Sequence, residues 1–529
     1  MDRSAHRPAA VVEIDGRLTL ARAVAVAEGR AHPHLPEATL RAIAAGHQRL
    51  QAAITEQRLI YGVTTGFGPL ANRRVATEDA AQLQRNLIYH LATGVGDFAD
   101  WATARLIVLA RLASICRGAS GASPRTAAAL SALLLGPAAP LIPLKGTVGA
   151  SGDLTPLAHM ALAFMGEGGF VDRTGEALDA GGVLAEIGGP LALSARDGLA
   201  LVNGTSAMTG VATLNAVRAA RLTALAEVLG VGVAELLGGR AEAWDPVLAV
   251  LRPHPGQVAT TARLARLAAG SERLKTGKAS EIRLAAGPSQ GVDEPMQDAY
   301  TLRCIPQVIG AVRDVLDEHA RVVEIELNAA TDNPLFPNGA APVHGGNFMG
   351  QQVAFASDSL KAAMIALTGL AERQVARVTD ERLNRGLPAF LHRGAPGLHS
   401  GLMGAQVTAS AVLAEMRSRA APAAAQSIST NAANQDVVSL GTIAARSARD
   451  ALDDCATVLA ILGLAVAQGI DCSGGTTGFA PATQELYRAV RAESPALDAD
   501  RPLSRDIMAL ATAMRDGRLA VGPAQEVCG

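Results

Sequence analysis

The sequence predicts a mainly α protein: a long-helix bundle with a smaller mixed N-terminal domain. Three observations carry this expectation. Alanine and leucine dominate a chain that is 49% hydrophobic but only 3% aromatic, a composition suited to helices packed through small side chains. From about residue 205 onward, apolar residues recur at helical spacing over 205–238, 297–327, 349–377, 403–420 and 434–469. At 529 residues the chain is too long for one ordinary core.

Before about residue 200 the texture differs. Short apolar runs alternate with Gly and Pro, as in "AAVVEIDGRLTL" and "GGFVDRTGEAL", which reads as short hairpins among helices. This places a mixed domain at 1–200 and the bundle at 201–529. Compact polar loops, "NAATDNPLF", "HGGNF" and "STNAANQD", separate the long helices, and no Pro- or Ser-rich linker or internal repeat interrupts them. Three charge-poor stretches imitate membrane spans. Residues 126–144 contain Pro137, Pro140 and Pro143, which break a helix. Residues 455–470 are short for a crossing. Residues 198–217 carry Asn203, Thr205, Ser206, Thr209, Thr213 and Asn215 and read as a helix buried in the bundle.

The net charge of −2 argues against a nucleic-acid binder. Five scattered cysteines (116, 304, 455, 472 and 528) form no C-x-x-C pair, so neither a disulfide framework nor a zinc site is expected, and a reducing cytoplasm fits. The start lacks the apolar core of a secretion signal. "GFGPLA" at 66–71 resembles a dinucleotide fingerprint, but Pro69 lies inside it and two arginines follow. "LKTGKAS" at 274–280 approaches a phosphate loop but has Ala279 where a hydroxyl is needed. Asp453 and Asp454 read as a solvated helix face.

The stretch "GTVGASGDL" at 146–154 is richer. If the turn were compressed, the Gly152 nitrogen could attack the Ala150 carbonyl carbon and close a five-membered ring with loss of water. Loss of a second water from Ser151 would leave an exocyclic methylidene. Gly152 has no Cβ to obstruct the approach, Ala150 is small, and Ser151 carries the departing hydroxyl. The product is an electron-poor alkene, an electrophile that ordinary side chains do not supply.

"GTVGASGDLTPLAHMA" resembles the signature of the aromatic amino acid ammonia-lyases, whose Ala-Ser-Gly becomes 4-methylideneimidazol-5-one (MIO). "YGVTTGFGPLA", "LVNGTSAM", "QDAYTLR", "ELNAATDNPLF", "HGGNFMG" and "STNAANQDVVSLGT" extend the resemblance over nearly the whole chain. A second Ala-Ser-Gly, in "CRGASGASP" at 116–124, lacks this context. The resemblance implies an aspartase/fumarase-like bundle with the MIO loop in the N-terminal domain, no external cofactor and no metal, and a homotetramer whose sites are shared between subunits.

It also implies roles. Tyr61 matches the base that removes a β-proton, and a phenol with an ordinary pKa near ~10 needs donors or positive charge to serve so. Asn203 matches the residue holding the MIO ring oxygen, and could also cap the helix beginning near Thr205. Tyr300 matches a residue near the substrate amine. Arg303 follows three residues later, on the same face of a helix, and its fork suits a carboxylate. Asn333 and Phe348 match residues lining the carboxylate and ring ends. Gln435 stands where histidine lyases carry Glu. His90-Leu91 occupies the pair that meets the far end of the ring, His-Leu being the pattern of tyrosine lyases, with Asn431 a second polar neighbour. The resemblance therefore implies conversion of L-tyrosine into trans-4-coumarate and ammonia. Tyrosine 2,3-aminomutase, phenylalanine lyase with tyrosine as side substrate, and an inactive helical scaffold are the alternatives.

Overall fold

In the computed structural model, residues 10–281, 296–519 and 521 are described; Cys528 and the first nine residues lie outside them. Two compact units form, each assembled from three segments of chain. The first comprises Met1–Ala216, His319–Asp358 and Pro422–Ser447, the second Val217–Glu318, Ser359–Ala421 and Ala448–Gly529.

The first unit holds the short strands. Ala10–Glu13 pairs in parallel with Ala31–His34 across the Leu20–Ala27 helix, whereas the sequence texture suggested a hairpin. Thr19 caps that helix by accepting from the Arg22 N–H at 3.3 Å, which turns the chain before it can double back as a strand. Phe170–Val171 and Ala177–Leu178 do form the expected hairpin, extended by Ala139–Pro140. Trp101–Cys116 begins at Asp100, which accepts from Thr103 N–H at 2.8 Å, and is buried from Thr103 to Cys116. The Pro124–Leu135 helix stops at Gly136, ahead of the prolines that exclude a span.

Residues 198–217 are not one helix. Asp197–Val202 ends, Asn203 turns to ψ 116, Gly204 takes φ +135, and a new helix runs over Ser206–Leu236. Only glycine adopts the Gly204 conformation comfortably, so the break is written into the backbone. The helix expected from 434 starts at Gly441 instead and continues to Cys472; Leu440, immediately before it, takes a left-handed φ of 55°, which a right-handed helix does not admit. The apolar run 455–470 thus lies within a 32-residue helix long enough to cross a membrane, and 83% burial of its most apolar window marks it as a core helix.

The core of the second unit is built from Leu225, Leu229, Ile309, Leu360, Leu452, Leu459 and Leu462 with many alanines. The stretch expected as one helix over 297–327 divides into Tyr300–Arg303 and Ile305–Leu327. Pro306 lacks the N–H that would continue the first turn. Asp453 and Asp454 are not merely solvated: they pair with Arg515 at 3.1 Å and Arg419 at 2.6 Å.

Candidate active site

The 146–154 turn is clamped from several sides within the first unit. Gly152 has φ +73, and a Cβ built on it would lie 2.1 Å from the Gly204 carbonyl oxygen. Backbone packs on backbone here, which only glycine at both positions permits. Gly204 N–H donates to the Ser151 carbonyl oxygen at 3.3 Å, and Asp153 N–H donates to the Gly204 carbonyl at 2.8 Å. The Thr147 hydroxyl accepts from Gly149 N–H at 3.1 Å and donates to the Gly152 carbonyl at 3.3 Å. Leu440 N–H donates to the Val148 carbonyl at 2.9 Å. Ala150 packs into a small cluster with Ala354, Val438 and Ala444. The Ser151 hydroxyl accepts from the Gln435 amide at 3.2 Å.

Asp153, fully buried, joins two helices to this turn. Its carboxylate accepts from Met208 N–H at 2.7 Å and from the Thr442 hydroxyl, in the first turns of Ser206–Leu236 and Gly441–Cys472. Burial pushes its pKa up to about 6, against the pull of these hydrogen bonds. The Leu154–Met165 helix starts directly after it. The turn therefore sits at three helix N-termini, where unpaired N–H groups carry partial positive charge.

Asn203 closes the Asp197–Val202 helix. Its Oδ1 is buried with no partner among the described residues, so its side chain does not make the expected cap on the helix that follows. Gln84, fully buried, donates to the Gly62 carbonyl at 2.8 Å and accepts from Leu199 N–H at 2.7 Å. One amide thereby links the Tyr61 turn, the Ala80–Leu91 helix and the helix that ends at Asn203. The Tyr61 hydroxyl accepts from Gly68 N–H at 2.8 Å, and its ring meets Phe67 edge-on at 6.1 Å. A Cβ on Gly68 would lie 3.9 Å from Asn434 Oδ1, which sets this turn beside the 431–435 loop that carries Gln435.

His90 is exposed near the end of the Ala80–Leu91 helix, and Leu91 is half-buried. The His90 Nδ1 lies 3.0 Å from the Asn86 carbonyl oxygen. That oxygen only accepts, so Nδ1 carries the proton and Nε2 of the neutral ring is an acceptor. Asn333 accepts from Gly345 N–H at 2.8 Å. Its turn is held by a fully buried pair, Arg196 to Asp332 at 2.7 Å. Phe348 is half-buried and Asn431 exposed.

The first unit thus holds Tyr61, His90, Leu91, Ala150, Ser151, Gly152, Asn203, Asn333, Phe348, Asn431 and Gln435. The second holds Tyr300 and Arg303, where the Arg303 guanidinium stacks on the Tyr300 ring at 4.5 Å. The sequence assigns no role to Asp153, Gln84 or Gly204. Asp153 and Gly204 lie inside the quoted motifs, so adjacency to the site residues is the available signal; for Gln84 there is none.

The chain belongs to the family of aromatic amino acid lyases: the family model, "Aromatic amino acid lyase", matches residues 18–492. Among its relatives, a tyrosine ammonia-lyase of Cereibacter sphaeroides is 55% identical, covering 96% of this chain and 97% of the relative. A MIO-dependent tyrosine 2,3-aminomutase of Streptomyces globisporus is 41% identical, covering 97% of each. The crystal structure of a tyrosine aminomutase from that organism superposes with a TM-score of 0.92 at 39% identity, covering 96% of this chain and 97% of the other.

Proposed function

We propose that the chain is a tyrosine ammonia-lyase that converts L-tyrosine into trans-4-coumarate and ammonia, using MIO formed from Ala150, Ser151 and Gly152. The observation that carries the reading is the 149–153 turn. Gly152 is pressed on Gly204 where no Cβ fits, and the Ser151 carbonyl oxygen, which the ring retains, already faces the Gly204 N–H. The residues present fit the group. When formed, it supplies an electron-poor exocyclic alkene as electrophile.

The other residues bind, orient and move protons. Gly204 N–H and the Asn203 carboxamide hold the Ser151 carbonyl oxygen, donors of the kind that stabilise developing negative charge. Tyr61 takes the proton from the substrate β-carbon, with Gly68 N–H donating to its oxygen. His90 Nε2 accepts the substrate para-hydroxyl while Leu91 packs on the ring. Arg303 takes the carboxylate and Tyr300 lies near the amine. Asn333, Phe348, Asn431 and Gln435 line the remainder. Tyr300 is 68% exposed on the second unit, available to the site of another copy, which supports a homotetramer with shared sites. Four cysteines stand free among the described residues, in keeping with a cytoplasmic enzyme.

Identity of 55% to the lyase against 41% to the aminomutase favours elimination over amine migration. The test incubates the protein with L-tyrosine and follows coumarate absorbance beside β-tyrosine by chromatography. Coumarate as main product is expected; β-tyrosine as main product overturns the lyase reading. His90→Phe tests the ring assignment. Once the bound ring covers the otherwise exposed His90, phenylalanine leaves its acceptor shielded and unpaired, which costs about 1–3 kcal/mol, so kcat/KM should favour tyrosine by about ten- to a hundredfold in the wild type. The substitution should reverse the order, and an unchanged ratio would detach His90 from the substrate.

A further inference from the structure

The buried Trp101–Cys116 helix carries two fully buried arginines that are not equivalent. Arg105 is saturated: Nε donates to the Ala27 carbonyl at 2.8 Å, Nη1 to Gly136 and Ala138 at 2.8 and 2.9 Å, and Nη2 to Leu134 at 2.6 Å. It closes the ends of the Leu20–Ala27 and Pro124–Leu135 helices, and each of its three nitrogens has a partner. Arg111 bonds through Nη1 to the Asn203 carbonyl oxygen, and its Nε and Nη2 have no partner among the described residues. A buried cation with idle donors is costly, and the position of its one bond gives it a use.

The Asn203 carbonyl and the Gly204 N–H are the two ends of one peptide group. Arg111 donates to the first, and the second donates to the Ser151 carbonyl oxygen at 3.3 Å. We infer that Arg111 is a positioning residue, acting through the Asn203–Gly204 peptide on the Ser151 carbonyl oxygen. A cation bonded to the carbonyl end of a peptide polarises its N–H, so that bonds in series strengthen one another. The guanidinium also fixes the peptide in place. Ser114, one turn further along the same helix face, accepts from Thr331 N–H at 3.1 Å. A Cβ on Gly204 would meet Arg111 Nη1 at 2.6 Å and the Thr331 carbonyl at 2.6 Å, so the peptide is wedged between two supports. Burial lowers the Arg111 pKa; Asp332 and Asp153 work against this and Arg196 adds to it.

The inference rests on the MIO reading, and the experiment separates the two. Intact mass reports ring formation as a deficit of two waters, thermal melting reports the fold, and kcat and KM are taken on protein that carries the deficit. Wild type without the deficit sinks the MIO reading and this inference with it. With the deficit present in wild type, Arg111→Met should either retain it with kcat about ten- to a hundredfold lower and KM little changed, or remain folded and lose it. In both cases Arg111→Lys, which keeps the charge and a donor, should restore part of the loss. Arg111→Met with full deficit and unchanged kcat overturns the inference alone. So does loss of folded protein in both variants, which would make Arg111 a support of the fold like Arg105.

Discussion

The chain contains Ala-Ser-Gly twice, at 119–121 and at 150–152, and both copies are flanked by glycines of nearly the same backbone conformation. Gly118 and Gly121 have φ +71 and +76, Gly149 and Gly152 φ +74 and +73. Their surroundings differ. The first loop is tied outward: Arg49 donates to the Gly118 carbonyl at 2.8 Å, Phe336 N–H to the Ala119 carbonyl at 2.7 Å, and His47 Nδ1 meets the Gly121 carbonyl at 3.1 Å. Each bond draws the loop toward a different neighbour. The second loop is also held from outside, by Gly204, Gln435 and Leu440, but in addition it is tied across itself, through Thr147 to both Gly149 and Gly152. Gly121 faces the Phe336 ring, a side chain that can shift, whereas Gly152 faces the Gly204 backbone, which cannot. The tripeptide and its glycines therefore do not tell the two loops apart; the backbone clamp around the second one does.

The sharpest test of this contrast exchanges the two serines. Ser151→Ala should fold, show no two-water deficit by intact mass, and lose coumarate formation almost entirely, because no methylidene can form. Ser120→Ala should keep both the deficit and full turnover, although Ser120 is the more deeply buried serine. A deficit that persists in Ser151→Ala and disappears in Ser120→Ala would reverse the assignment of the two loops.

A second pair separates strain from chemistry. Gly204→Ala places a methyl 2.6 Å from the Thr331 carbonyl at φ +135, and should cost about 1–3 kcal/mol in backbone strain. Gly121→Ala places one 2.9 Å from the Phe336 ring at φ +76, with a similar cost of about 1–2 kcal/mol. Both should melt earlier. Only Gly204→Ala should also reduce the mass deficit and turnover, since only it moves the clamp. Equal effects of the two on ring formation would show that general stability, rather than the clamp, governs cyclisation.

The sequence made the long helices legible because their apolar residues repeat with a helical period, and it made the site residues legible through ordered motifs shared with a family. It did not show the break at Asn203–Gly204, nor that the loop expected at "STNAANQD" runs on to Leu440. A glycine inside an apolar run does not announce its φ, and although Asn431 is of a type that tolerates left-handed backbone, Ala432, Ala433 and Leu440 are not, yet all take it. Nor did it show the supports. Arg111 lies in "LIVLARLASIC" and Gln84 in "AAQLQRNLI", where a polar residue ordinarily marks a solvated helix face. Both are fully buried because the peptide groups they bond come from segments far away in sequence, at Asn203, Gly62 and Leu199.

The smallest expected effect concerns the residue that follows each tripeptide, Asp153 after the second loop and Ala122 after the first. Asp153 is buried and its pKa is raised to about 6 from an ordinary 3.8. A carboxyl with a raised native pKa holds its proton more tightly in the folded chain than in the unfolded one. Between about pH 4 and 6 the folded state therefore binds more protons, and stability from this group falls as pH rises through that window. The loss amounts to at most about 3 kcal/mol, from roughly two pKa units at about 1.4 kcal/mol each. Asp153→Asn keeps an acceptor for Met208 N–H and removes the ionisation. Relative to wild type, its melting temperature should rise progressively from pH 4 to pH 6 and level off above. Ala122→Asn, beside the loop tied outward, should leave the shape of the pH profile unchanged. A wild-type minus Asp153→Asn difference that is flat across pH 4–6 would show that the carboxyl titrates as an ordinary one, and that its hydrogen bonds from Met208 and Thr442 cancel the effect of burial.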